Sequence, residues 1–286
     1  MKFYNIFRYD FRYGFLSRPG KWAAVVFYGV FLFISFSFSL FHGFYGEVDS
    51  LWDINSLSLS MGDVFLADLG GKLPPDFQQL QSYSFPTTWF VWQILPCVLT
   101  LSYMSEDLSQ GGMQVMIRAR KKSWWWFSKC LWNLWVVLVY YGLGYLTLWL
   151  LSFASGKAQT WELNPRIFQF QFAQSLPASH STSLFVSVCL LPCLVGMAVN
   201  LMQMTLTLFV KPIFAFVAAC CYCIIGIYYA HPLMLSNYAM PVRSADIGIY
   251  NFQPTLGAFL CILAWVGCFL VGAWKIRRQD IVGLTP

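Results

Sequence analysis

Residues 104–129 read MSEDLSQGGMQVMIRARKKSWWWFSK, and where this stretch sits decides how the rest of the chain is read. It opens with an acidic pair, Glu106 and Asp107. A glycine pair, Gly111 and Gly112, follows, then the apolar residues Met113, Met116 and Ile117. Four cations, Arg118, Arg120, Lys121 and Lys122, precede the triplet Trp124 to Trp126. Long apolar runs flank the stretch on both sides. A charged island between such runs is a loop at a membrane surface. Its polarity suits a helix, because acids favour the N-terminal end of a helix and cations the C-terminal end.

The composition supports a lipid-solvated chain. Of 286 residues 58% are hydrophobic and 10% charged, where soluble domains carry about 25% charged residues. The expected fold is an all-α polytopic membrane protein, a single transmembrane domain over residues 1–286. Six spans are expected, at about 22–41, 87–103, 125–153, 183–209, 213–230 and 255–274. Pro96 kinks the second span, and Pro212 suits the first turn of the fifth. Lys129, near the start of the third, is expected to snorkel to the interface. Trp124 to Trp126 are expected to mark the membrane surface there.

Ahead of the first span, Phe3, Phe7, Phe11 and Phe15 recur every four residues beside Arg8 and Arg12. That pattern predicts an amphipathic interfacial helix over residues 1–20, aromatics in lipid and cations at headgroups. No short apolar core precedes a small-residue cleavage site, so the first apolar run is expected to act as an uncleaved anchor. Three longer connections remain, 44–86, 154–182 and 231–254. The first carries six acids against one cation, and its LSLSMGDVFLADL portion suits a small helix or hairpin. The last is broken by three prolines and suits short surface-lying or re-entrant helices.

Counting cations orients the chain. With the N-terminus inside, fourteen of the 18 Lys and Arg residues fall on that side, leaving Lys72, Lys157, Arg166 and Arg243 outside. The positive-inside rule therefore predicts a multi-pass protein of the cell membrane with both termini cytoplasmic.

Several chemistries lack their residues. No Gly-Lys pair is followed by Ser or Thr with the upstream glycine of a P-loop, and no HExxH or GxSxG occurs. No catalytic residue or metal site is expected, and no nucleic-acid partner. The nine cysteines lie in apolar runs rather than in loops, the pattern of small packing residues rather than of a disulfide framework. No Asp or Glu is expected deep in a span, which argues against a proton- or sodium-driven carrier. In the fourth span Gly196, Asn200, Gln203 and Thr207 share one helix face. That face reads either as interhelical hydrogen-bond glue or as a wall of a substrate path. Gly257, Cys261, Ala264, Cys268 and Gly272 make a close-packing stripe in the sixth.

The order of an amphipathic helix, one span, an outer loop, a second span, then an inner segment with Glu106, Gly111, Gly112, Arg118 and Arg120 before a third span resembles the type-2 ABC transporter permeases. NYAMPVRS (residues 237–244) resembles the short outer helices of that family. The resemblance implies a permease subunit of an ATP-driven exporter, paired with a second permease, alike or different. Two separate ATP-binding subunits would carry ATP and Mg, since this chain needs no cofactor of its own. It also implies that residues 105–122 form a coupling helix docking on the ATPase. The docking residues would be Glu106, Asp107, Gly111, Gly112, Met113, Met116, Ile117, Arg118 and Arg120. Larger members carry a long outer domain, and this chain has only the 43-residue segment 44–86. It resembles the compact members that export peptides, antibiotics or lipid-linked molecules. The competing expectation is a non-transporting sensor or immunity protein that binds a peptide through its acidic outer loop.

Overall fold

The computed structural model describes residues 3–16, 19–47, 59–75, 83–109, 112–118, 121–172, 184–247, 250 and 252–278. Among these about 80% are helical and no strand forms; the extended contacts are two isolated bridges, Ser60 with Ala158 and Ser244 with Phe252.

Among the described residues twelve α-helices follow one another. They are α1 (Phe3–Asp10), α2 (Pro19–Glu47), α3 (Met61–Leu69), α4 (Thr87–Thr100), α5 (Tyr103–Ser109) and α6 (Gly112–Arg118). Then come α7 (Lys122–Ala154), α8 (Pro165–Phe172), α9 (Leu191–Leu206), α10 (Pro212–Tyr228), α11 (Leu235–Tyr238) and α12 (Pro254–Arg278). A π-helical turn at Phe11–Leu16 continues α1, and another at Val186–Leu190 leads into α9.

Among the described residues four helical segments are long and apolar enough to cross a bilayer, by length and composition: Gly20–Ser39, Lys122–Ala154, Val186–Leu206 and Pro254–Arg278. The chain therefore reads as a membrane protein. Of the two other expected spans, α10 is apolar but only 17 residues long, and α4 has 14. At 1.5 Å per residue those helices are shorter than the roughly 30 Å hydrocarbon layer.

The segment Val186–Leu206 is the central post. It is 78% buried, against 33% for α7 and 28% for α12, and it packs on α4, α7, α10 and α12. The outer helices can stay lipid-facing because lipid is as apolar as their side chains.

Tyrosines of α7 brace the helices at two prolines in the bundle. Pro96 has no N–H for the carbonyl of Trp92 four residues earlier. That carbonyl accepts instead from the Tyr140 hydroxyl of α7 at 2.9 Å. Pro192 opens α9, and the turn before it widens into the π-helical segment, a usual response where the helical ladder is interrupted. The Cys189 carbonyl there accepts from the Tyr145 hydroxyl at 2.9 Å. The same α7 face presents Gly144, where an added Cβ would stand 2.0 Å from the Trp92 ring. Trp92 also packs edge-on against Tyr141. A proline kink, a glycine notch and an aromatic cluster thus hold α4 on α7.

Several expectations are corrected. One face of the N-terminal helix packs on the bundle rather than on lipid alone. The helix turns Ile6 and Asp10 inward, both fully buried, against α7, and leaves Arg8 and Arg12 exposed. The Phe15 side chain lies outside the described residues. Trp125 and Trp126 are fully buried rather than interfacial. Trp126 fits against Gly272 of α12, where a Cβ would stand 2.1 Å from its ring, and donates to the Phe269 carbonyl at 3.2 Å. The inner segment is two short helices, α5 and α6, rather than one, with residues 110–111 and 119–120 outside the described residues.

In the first long connection the MGDVFLADL portion forms α3, opened by a capping box between Ser60 and Asp63. Nearly every residue of α3 is buried, Asp63 and Asp68 included. Asp49, Asp53, Asp76 and the Glu47 side chain lie outside the described residues.

Candidate functional site

One end of the bundle gathers α1, α5, α6, the start of α7 and the end of α12. Its centre is Lys129, about two turns inside α7. Lys129 was expected to reach the interface, but its side chain is fully buried. The reason is electrostatic. The ammonium lies 2.5 Å from Asp10 Oδ1 of α1 and 2.8 Å from Asp107 Oδ2 of α5. The first is an aligned hydrogen bond; the second is a close ion contact.

Two further donors complete the shell of Asp10. The Tyr103 hydroxyl donates to its Oδ1 at 2.9 Å, and the Ser128 hydroxyl to its Oδ2 at 2.5 Å. Aromatic faces surround the cation, with Lys129 Nζ 4.6 Å from the Tyr103 ring centre and 5.3 Å from that of Trp125. Such faces replace part of the lost hydration. Burial pushes the Asp10 carboxyl up from its ordinary range, and Lys129 opposes that shift. Burial, with Asp107 and Asp10 nearby, raises the Tyr9 hydroxyl to about 12. A buried charge without partners costs several kcal/mol, so all of these groups must stay together. The cluster ties the N-terminal helix, the inner segment and the base of α7 into one unit.

The expected docking residues meet this cluster in different ways. Asp107 faces inward on Lys129 and is 7% exposed. Gly112 closes on it, since a Cβ there would meet Asp107 Oδ2 at 1.8 Å. Met116 is buried at 2% exposure in a cluster with Ile6, Met104 and Trp125. Glu106 is half-exposed, and Gln114 is exposed on the outer face of α6. Gly111 and Arg120 lie outside the described residues, as do the side chains of Met113, Ile117 and Arg118. Beside the cluster Lys121, Lys122, Ser123 and Arg277 line a hollow of about 410 Å³. This end of the bundle is strongly cationic.

The α9 face is committed to neighbouring helices. Gly196 lies against the Tyr141 ring. Asn200 Oδ1 accepts from the Thr100 hydroxyl at 2.9 Å, and Gln203 Nε2 donates to the Cys97 carbonyl at 3.2 Å. Thr207, half-buried, donates to the Met204 carbonyl at 2.6 Å. These are hydrogen bonds across or along helices, as glue makes them. Gln203 alone of the three candidate path residues also lines a groove between α9, α10 and α12.

At the other end of the bundle Arg243 is fully buried. Its guanidinium donates to the carbonyls of Gly226 and Ile227 in the last turn of α10, both at 2.6 Å, and to Asn237 Oδ1. Its Nε donates to the Lys72 carbonyl at 2.8 Å. A cation that hydrogen-bonds the last carbonyls of a helix satisfies groups left without intrahelical partners and complements the helix dipole. Burial lowers its pKa to about 10. Among the described residues no group of three His, Cys, Asp or Glu can hold a metal ion.

Sequence reasoning missed the cluster, although its signal was present. Asp10 is the sole acid before Glu47, and Lys129 the sole cation between Lys122 and Lys157. Two isolated opposite charges in apolar surroundings need partners, and each supplies the other's.

A family model described as "Protein of unknown function (DUF2705)" matches residues 63–282. No curated protein and no solved structure matches the chain.

Proposed function

The chain belongs to the DUF2705 family, and from that premise we propose that it is the permease subunit of an ATP-driven ABC exporter of the type-2 class. In this reading α2, α4, α7, α9, α10 and α12 are six spans. Both termini face the cytoplasm, and the cationic end lies on that side. Two ATP-binding subunits on other chains supply ATP and Mg, and a second permease completes the path. The chain itself catalyses nothing. Its substrate class is the one expected of compact members, a peptide, an antibiotic or a lipid-like molecule.

The observation that carries the reading is the Lys129 cluster. The short helices α5 and α6 stand at the cationic end between α4 and α7. Lys129 fastens them to α1 and to the base of a 33-residue helix. A push on α5 or α6 would therefore move α7 as a rigid lever, which is what an outside ATPase requires. The docking surface narrows to the outward faces of these helices. Glu106 and Gln114 belong to it, while Asp107, Gly112 and Met116 act inside as its fastening. The sensor alternative is weakened, because Asp63 and Asp68 of its acidic loop are buried.

Co-purification with a P-loop ATPase tests the proposal. Glu106→Ala combined with Arg118→Ala is expected to weaken that association and the stimulation of ATP hydrolysis. Unchanged association and unchanged stimulation would remove the docking surface. Retention of peptide binding by a chain with residues 105–122 replaced, lost on deletion of the outer segment, would favour the sensor.

A further inference from the structure

Between α9, α10 and α12 lies a groove of about 490 Å³ whose surface is almost wholly apolar. Its walls include Gln203, Phe209, Ala218, Tyr222, Gly267 and Val271. Small side chains create the hollow. At Gly267 an added Cβ would meet nothing within 4 Å, so open space stands where a partner helix would otherwise press. The wall residues Phe209 and Val271 are exposed, which leaves the groove open to the lipid-facing side.

The charge at one end of the groove marks a ligand rather than a packing defect. The groove runs into cations. On α12 the face that carries Ala264, Cys268 and Val271 continues with Lys275 and Arg278, at spacings of three and four residues. The Lys275 ammonium sits 5.1 Å from the centre of the Phe209 ring, itself part of the groove wall. The Arg278 guanidinium sits 4.7 Å from the Trp274 ring. Exposed Lys211 caps the start of α10 beside Phe209.

We propose that this groove is a binding site for an anionic glycerophospholipid, one acyl chain lying along α9, α10 and α12 and the phosphate held by Lys275, Arg278 and Lys211. An apolar trough ending in a cationic mouth is complementary to a molecule with an apolar tail and an anionic head. The cationic mouth lies at the end of the bundle that the charge distribution places at the anionic cytoplasmic leaflet. The inference is independent of the transport reading, since no partner ATPase takes part.

The test is native mass spectrometry of the purified, delipidated chain titrated with phosphatidylglycerol or with phosphatidylcholine of the same chains. The first binding step is expected to favour phosphatidylglycerol about tenfold or more, each basic group near the headgroup adding roughly 1 kcal/mol. Lys211→Gln, Lys275→Gln and Arg278→Gln together should abolish that preference, weakening phosphatidylglycerol binding more than phosphatidylcholine binding. Gly267→Leu fills the groove where space is free and should weaken the first step for both lipids; its melting temperature is read alongside. Ala218→Leu fills the opposite wall and serves if the first variant does not fold. Equal binding of the two lipids, or a first step unmoved by both groove-filling variants, overturns the proposal. So does a dimer that forms only when lipid is stripped and vanishes in Gly267→Leu, which would make a second copy the occupant.

Discussion

Replacing Lys129 by methionine is the sharpest test of the buried cluster. The change keeps an unbranched chain of similar bulk and removes only the charge. Asp10 and Asp107 would then face each other with no cation between them, Asp10 fully buried and Asp107 at 7% exposure. Removing one partner of a buried ion pair costs about 3–5 kcal/mol, because the remaining charge keeps its desolvation penalty. For a chain of this size roughly 2–4 °C of melting temperature accompanies each kcal/mol. The expected loss is therefore about 6–20 °C, read by thermal melting of the detergent-purified protein. The pH dependence has a definite sign. The Asp10 carboxyl is already raised by burial, so its neutral form is favoured in the fold. Without Lys129 that preference grows, and the deficit of the variant should shrink as the pH falls and Asp10 takes up its proton. Adding Asp10→Asn to Lys129→Met should recover a large part of the loss at neutral pH for the same reason. The reasoning is refuted if Lys129→Met melts like the parent. A deficit unchanged between acid and neutral pH, or unrelieved by Asp10→Asn, refutes it equally.

Four further outcomes follow from single contacts. Tyr140→Phe leaves the Trp92 carbonyl without its donor and should cost about 1–3 kcal/mol. In a Pro96→Ala background, where a backbone N–H is restored, the same change should cost far less, as a double-mutant cycle in melting temperature will read. Gly144→Ala drives a methyl into the Trp92 ring and should destabilise by about 1–3 kcal/mol, measured by the same melts. Arg243→Met strips donors from Gly226 and Ile227 and should cost about 2–5 kcal/mol, with hydrogen exchange rising first at the end of α10. Asp68 is held well above its ordinary 3.8 by burial, opposed by Lys157. Its contribution is present below 3.8 and lost as the pH rises through the raised value. Asp68→Asn should therefore flatten the decline of melting temperature with rising pH; an unaltered slope would show that Asp68 does not set it.

Much of the architecture was legible because it depends on composition along the chain. Apolar runs long enough to span are a property of consecutive residues, so α2, α7, α9 and α12 stood where hydropathy put them. Pro212 opened its helix as a fixed backbone angle dictates. The polar face of α9 was likewise visible as a helical spacing, although which helices it would bind was not.

What the sequence by itself determined was which stretches are apolar and long enough to cross a bilayer and where along the chain the cations gather. Only the tertiary structure decided the partners. Lys129 looked like a residue bound for the interface because its own helix offers it no counter-charge. The two carboxylates that bury it come from residues 119 and 22 positions away. The stretch 104–129 shows the division. Its charges announced a surface loop, yet Asp107, Met116, Trp125 and Trp126 turn inward. Burial is decided by which surfaces meet, and a pairwise Coulomb interaction depends on distance in space rather than along the chain.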